Sequence, residues 1–519
     1  MHKNQSLLPH LVHMAVPCNS FACMLYSHRL DRPARPVDDG QHGHVPWEGG
    51  RMDKELLQRL DSWVAAHQEE MLADLRALIA IPSKRGEAAE GAPFGAACAQ
   101  ALDAGLALCE KYGFATKNYD YYAGTADMGA APPRLDILAH LDVVDEGTGW
   151  DTDPYTLTLQ EGRLYGRGTS DDKGPAVAAL YAMRAVRDLG LPLTGNVRLI
   201  LGTDEECGSS DLHYYFQREV SAPHSFSPDA EFPLYNAEKG FFRPKLTADL
   251  APETALPRVT ALQSGTALNI VPALATATVL GLDPAAVQAA CASMAADWGV
   301  ELLADAIEGG CALTVKGISA HASTPEEGRN ALTALLGILS ALPLADIPST
   351  RLLQGLCRLF PHGDCLGKAL GVAQADEVFG PLTLSFDQIR LEDGAFTGAW
   401  DSRVPGCATW KNCADVALQA LEPLGLTVDI QMTPVHYVPA ESPFVQTLLA
   451  AYEAVTGQKG KCLSMGGGTY VHDIEGGVAF GPVMPGIQTN IHGANEFIPL
   501  DDLLAGCKIF ALAIAEICK

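Results

Sequence analysis

No run of about 18 consecutive apolar residues occurs in the chain, so no segment reads as a membrane-spanning helix. No two cysteines stand in a CxxC spacing, although the chain has 14 of them. Scattered through helix-like and strand-like stretches, as Cys98, Cys109, Cys291 and Cys311 are, they read as reduced buried thiols. That usage points to the cytoplasm. Basic residues are scarce, with 36 Lys and Arg against 62 Asp and Glu and a formal charge of -26. Such a balance disfavours nucleic acid and anionic membrane surfaces, where basic patches supply the affinity. The GxSxG elbow of serine hydrolases is missing, and the glycines at 466–468 lack the lysine of a phosphate-binding loop.

What is present is a folded soluble composition, 48% hydrophobic and 19% charged. At 519 residues the chain is too long for one core, so two domains plus extras are expected. Residues 7–25 are weakly apolar but interrupted by His10, His13, Pro17 and Asn19, with no clean cleavage site after them. Residues 27–51 lack periodicity and read as disordered, and Met52 reads as the start of the folded part. Apolar residues recur three and four apart over 56–81, predicting a helix, and a second follows over about 96–112.

Residues 134–144 read as a buried strand, 174–190 as a helix stopped by Gly190, and 196–206 as a strand running into acidic residues. That order suggests a parallel α/β sheet with functional groups at strand ends. Beyond Phe242 the texture changes to alternating pieces (258–262, 275–280, 312–316, 382–391) with helices such as 330–342. The expected organisation is a leader over 1–51, an α/β part over 52–241, an inserted α+β domain over 242–405, and a return to α/β over 406–519, with helices at 443–456 and 500–518.

Five short motifs carry candidate chemistry. His140-Leu141-Asp142 ends a strand, and residues two apart there face the same side. A carboxylate so placed can fix the tautomer of a metal-bound imidazole. Glycines precede paired aspartates in YGRGTSDDKG (165–174), although an aspartate opening a helix is also an ordinary cap. Asp204, Glu205 and Glu206 end an apolar strand, and three adjacent carboxylates repel unless a cation or water separates them. Asp229 lies in the Pro-bounded turn SPDAEFP, and His492 in IHGANEF. Singly each has a plain structural explanation. Together one set of His, Asp, Glu, Asp and His suits zinc.

With these residues in view, the sequence resembles the di-zinc amidohydrolases and peptidases that include aminoacylase, succinyl-diaminopimelate desuccinylase and carboxypeptidase G. Within them it is most similar to the PepV-type dipeptidases. The phrases AHLDVV, YGRGTSDDKGP, GTDEECG, FSPDAEFPLYNAEKG, SGTALNIVPALATATV, GISAHASTPEEGRNA, GGGTY and HGANEF occur in order from Ala139 to Phe497. SDDKGP and SPDAEFP belong to the dipeptidase branch; the others are broader.

The resemblance implies a zinc-peptidase-like catalytic domain with a central mixed sheet and an inserted α+β lid. It implies two Zn2+ ions, with Mn2+ or Co2+ as alternatives. His140 and Asp229 would bind one ion, Glu206 and His492 the other, and Asp171 would bridge them. Asp142 would orient His140, and Glu205 would be the general base. From the lid, His321 and Asn269 would stabilise the oxyanion, and Arg403 would grip the substrate carboxylate. Backbone donors from Gly466 to Gly468 would join them. The implied reaction is hydrolysis of dipeptides, of Xaa-His or β-alanyl type among them. An N-acyl-amino-acid deacylase using the same site is the sibling reading, and a binding protein without catalysis is the reading from another class. The expected partner is a small peptide, with no nucleic acid and no membrane. About 160 residues between Phe242 and Pro405 resemble the longer lid of single-chain relatives, so a monomer is expected. One departure stands out: where the family has GGGTYAR, this chain has Val471 and His472.

Overall fold

The computed structural model describes residues 54–519. The leader over 1–51 and the start at Met52 lie outside the described residues.

The helix Lys54–Ile79 is amphipathic: Leu60, Trp63, Val64, Met71, Leu72, Leu75, Leu78 and Ile79 form its buried face. It packs on Lys173–Asp188, a helix buried over nearly its whole length because Leu500–Ile517 covers it as well. These helices and Ala96–Lys111 enclose a sheet ordered 115–119, 123–127, 196–202, 133–140, 224–227, 477–479, 235–238, 436–437, with 463–465 beside 235–238. Its central strands, Pro133–His140, Asn196–Gly202 and His224–Ser227, run parallel. Asn196–Gly202 is buried at every residue, which is why it reads as an apolar run rather than an alternation. Ala115–Tyr119 and Ala123–Asp127 on one side are antiparallel while Gly477–Ala479 on the other runs parallel to His224–Ser227, so the sheet is mixed, as the resemblance implied, where the strand-helix-strand order suggested a parallel one.

A second sheet of eight antiparallel strands is ordered 301–307, 310–316, 274–280, 258–264, 383–392, 395–404, 240–249, 427–433. Strands such as Leu274–Leu280 alternate between exposed and buried positions, and the buried face packs with Ala331–Ala341 and Pro348–Leu359 into a separate core. Helix starts here carry their caps in the sequence: Asp283 accepts from the Ala286 N–H and Asn330 from that of Thr333. The sheet extends past Pro405, where the inserted part was expected to end. Thr427–Thr433 pairs with Gly240–Asp249, and Cys413, Ala414, Ala417 and Leu421 join the same core. The alternation of Val428, Ile430 and Met432 signals this strand, which an interruption at Pro405 disguised. The chain thus crosses between the sheets twice, at Glu238–Gly240 and between Thr433 and His436.

Candidate metal centre

The parallel strands point their C-terminal ends at one cleft, where α/β sheets gather functional groups. His140 is the last residue of Pro133–His140. Glu205 and Glu206 open the short turn beyond Asn196–Gly202. Asp229 follows His224–Ser227, and Asp171 lies just before the helix that starts at Lys173. His492 arrives from the loop before Phe497–Pro499.

All five predicted ligands meet there, in two triads that share Asp171: His140, Asp171 and Asp229, then Asp171, Glu206 and His492. The Nε2 of His140 is 3.0 Å from Asp171 Oδ1 and 3.8 Å from Asp229 Oδ2. The Nε2 of His492 is 3.1 Å from Asp171 Oδ2 and 3.2 Å from Glu206 Oε2. Buried as it is, His140 Nε2 makes no hydrogen bond among the described residues. Buried imidazole nitrogens normally find a hydrogen-bond partner. One that converges with carboxylates but is left without a bond suits a common cation. Ligand atoms about 2.0–2.2 Å from a zinc stand roughly 3–3.5 Å from each other, close to the spacings found. The donor set therefore fits two divalent ions.

The electrostatics agree. Burial opposes charge on His492, but the Asp171 and Glu206 carboxylates outweigh it and raise its pKa to about 11. Burial and the charge of Asp171 push Glu206 up to about 7. Glu205 is pushed well above the carboxylate range by burial, with Asp229, Glu206 and Asp171 adding to that and His140 opposing. Acids this crowded hold protons until cations displace them.

Supporting contacts fix the ligands. The ring Nδ1 of His140 faces the Asp142 main-chain oxygen at 3.1 Å and the Asp142 carboxylate at 3.4 Å. That carboxylate also accepts the backbone N–H of Glu205 (3.2 Å) and of Glu206 (3.1 Å). One aspartate thus orients a histidine and the turn that carries both glutamates. Asp172 accepts the His140 N–H at 3.0 Å. Glu496, to which no role was assigned from sequence, is fully buried. It takes the N–H groups of Gly168, Ser170 and Asp171 and an Arg167 guanidinium, holding the loop that presents Asp171. No local pattern in the sequence signals that grip.

A separate two-stranded ribbon, Ile270–Val271 with Ala320–His321, and the strand Ala395–Val404 of the second sheet supply the other candidates. His321 pairs with Ile270, next to Asn269, whose carbonyl accepts the Ala322 N–H. The Ser323 N–H donates to His321 Nδ1 at 3.2 Å, so the ring proton resides on Nε2. Burial and then Arg403 lower the His321 pKa to about 4, keeping that ring neutral. Arg403 is buried, and its Nε and one terminal nitrogen grip Asp401 at 3.0 and 2.9 Å. Its remaining nitrogen bonds the Gly466 carbonyl. The edge expected to hold a substrate carboxylate is engaged by Asp401.

The sequence profile of Peptidase family M20/M25/M40 matches residues 137–516, which takes in every one of these residues. The chain belongs to this family. YtjP of Bacillus subtilis (strain 168) is 36% identical over 462 residues, spanning 88% of this chain and 99% of its own. The Beta-Ala-Xaa dipeptidase of Lactobacillus delbrueckii subsp. lactis is 34% identical over 461 residues, 88% of this chain and 97% of its own. Human carnosine dipeptidase 1 superposes with a TM-score of 0.56 over 89% of this chain and 99% of its own, at 16% identity. At that identity the likeness is one of fold, and it places this M20/M25/M40 chain in the mixed α/β class. Among the described residues no helix is long and apolar enough to cross a membrane.

Proposed function

We propose that the chain is a metal-dependent dipeptidase that hydrolyses the peptide bond of dipeptides with Glu205 as general base. The observation that carries this reading is the pair of ligand triads sharing Asp171, with Glu205 beside them. Family membership and relatives named as dipeptidases support it. Two divalent cations held by His140, Asp229, Asp171, Glu206 and His492 would polarise the scissile carbonyl and acidify water. Zinc suits this imidazole and carboxylate set, with Mn2+ or Co2+ as alternatives.

Glu205 takes a proton from the attacking water and returns it to the nitrogen of the leaving amine. Asp142 holds Glu205 and His140 in register. His321 offers its Nε2–H, with Asn269, to the carbonyl oxygen that gains charge in the transition state. A preorganised donor of this kind contributes about 3 kcal/mol. Arg403, paired with Asp401, fixes Gly466 at the carboxylate end of the substrate, while Gly466 to Gly468 supply backbone donors. The eight-stranded sheet is the lid, and its closure limits substrate length. The free cysteines of the described residues fit a reducing compartment, and we place the enzyme in the cytoplasm as a monomer.

Hydrolysis of a panel of β-alanyl, Xaa-His and ordinary dipeptides beside N-acetyl amino acids, with Zn2+ or Mn2+ added, tests the reading. Cleavage of the dipeptides supports it. Cleavage of acetylated substrates alone moves the chain to the deacylases, and cleavage of neither leaves a binding protein.

A further inference from the structure

His472 stands in the short turn Tyr470–Asp473, directly after the glycine run and Thr469. Its Nδ1 is 3.0 Å from Glu238 Oε2 and its Nε2 is 3.1 Å from the Pro434 carbonyl. A carbonyl can only accept. An ionised Glu238 can only accept as well, and its other oxygen receives the Thr469 hydroxyl at 2.9 Å and the Thr469 N–H at 3.3 Å. Two acceptors on one ring require two ring protons.

The two partners occupy distinctive places. Glu238 ends the core-sheet strand from which the chain crosses into the eight-stranded sheet, and Pro434 lies where it crosses back. The crossings are packed closely: a Cβ on Gly240 would stand 2.4 Å from the Thr433 carbonyl. One ring therefore grips both connections between the sheets. Through Glu238 it also anchors Thr469 at one end of the glycine run, while the Lys239 N–H holds Met465 at the other at 3.0 Å.

We propose that His472 is a positioning residue whose doubly protonated ring clamps both sheet-to-sheet crossings and the Gly466–Gly468 loop, so that losing one ring proton weakens substrate binding. This rests on the dipeptidase reading of the site. With one proton gone, a ring nitrogen lone pair faces an oxygen and one of the two bonds is lost. The surroundings favour the cation. Burial opposes the charge, but Glu238, Asp473 and the Pro434 carbonyl outweigh it and raise the pKa. Asp473 is shared with His213 at 3.4 Å. His436, with ring centroids 6.3 Å away, directs its Nε2 at the Gly477 carbonyl, and Phe241 covers another side at 5.5 Å.

The test has two arms on the zinc-loaded full chain. Ring 15N shifts, with His472 assigned by the signal missing in His472→Gln, are expected to show both nitrogens protonated at pH 7. A neutral imidazole there overturns the proposal, whether or not any dipeptide is cleaved. For dipeptide hydrolysis, KM of the wild type is expected to rise on the alkaline side while kcat changes less. His472→Arg should keep a low KM and flatten that rise. His472→Gln should raise KM about tenfold at neutral pH, the order expected for one lost charge-assisted hydrogen bond. Wild type and His472→Gln with coincident KM profiles would also overturn it.

Discussion

Arg167 and Glu496 are 329 residues apart in sequence, yet a guanidinium nitrogen lies 2.6 Å from the carboxylate and both side chains are buried. The pair joins the loop that carries Asp171 to the segment that follows His492. Glu496 gathers three backbone N–H groups around Asp171, four residues beyond the proposed ligand His492. Arg167→Met strands a buried carboxylate, and breaking such a pair costs about 3–5 kcal/mol. Glu496→Gln keeps the shape and removes the charge. It is expected to weaken metal affinity by roughly 10–100-fold, as lost outer-shell partners do. Chelator competition measures the second effect and denaturant unfolding the first.

Glu205→Ala removes the proposed base without touching a ligand. It is expected to lower kcat by at least about 10²–10⁴-fold while two metal ions still bind, the range for a lost general base. Steady-state kinetics with metal analysis on the same sample checks both halves.

His321→Ala should lower kcat by roughly 10²–10³-fold with a smaller change in KM, since its Nε2–H acts on the transition state. The same residue governs part of the acid stability. Its folded pKa of about 4 lies below the ordinary value of 6.5, so below about pH 6.5 the unfolded chain binds a proton that the folded chain refuses. Stability therefore falls as pH drops from about 6.5 to 4. A His321→Gln variant should lose part of that slope in unfolding measured across this range.

In the core sheet, Arg198 bonds Asp136 through two parallel contacts of 2.8 Å, and Asp136 also takes the Ala222 N–H at 2.7 Å. Arg198→Met leaves that carboxylate buried alone and should destabilise the fold by about 3–5 kcal/mol, read by chemical denaturation.

The proposed ligands His140, Asp171, Glu206 and Asp229 were legible because each sits in a short phrase at a strand end or beside a helix start, where local sequence dictates local geometry, and His492 was legible from the phrase HGANEF in a loop. Long helices such as Lys54–Ile79 and Pro443–Thr456 were legible from their periodicity. Relations between distant segments were not. The grip of Glu496 on the Asp171 loop leaves no local pattern, and the pairing of Thr427–Thr433 beside Gly240–Asp249 depends on contacts far apart in the chain. The engagement of Arg403 by Asp401 is an intermediate case. Residues two apart on one strand share a face, so DSR already contained the pair.

Peptide hydrolysis by the proposed centre requires two metal ions on the shared Asp171. Exhaustive chelation, with removal verified by elemental analysis, followed by titration with Zn2+ or Mn2+ while following dipeptide cleavage, tests it most directly. Activity should vanish, return as two ions bind per chain, and fail to return in His492→Ala. Undiminished cleavage by the verified metal-free protein, or full activity at one ion per chain, would contradict it.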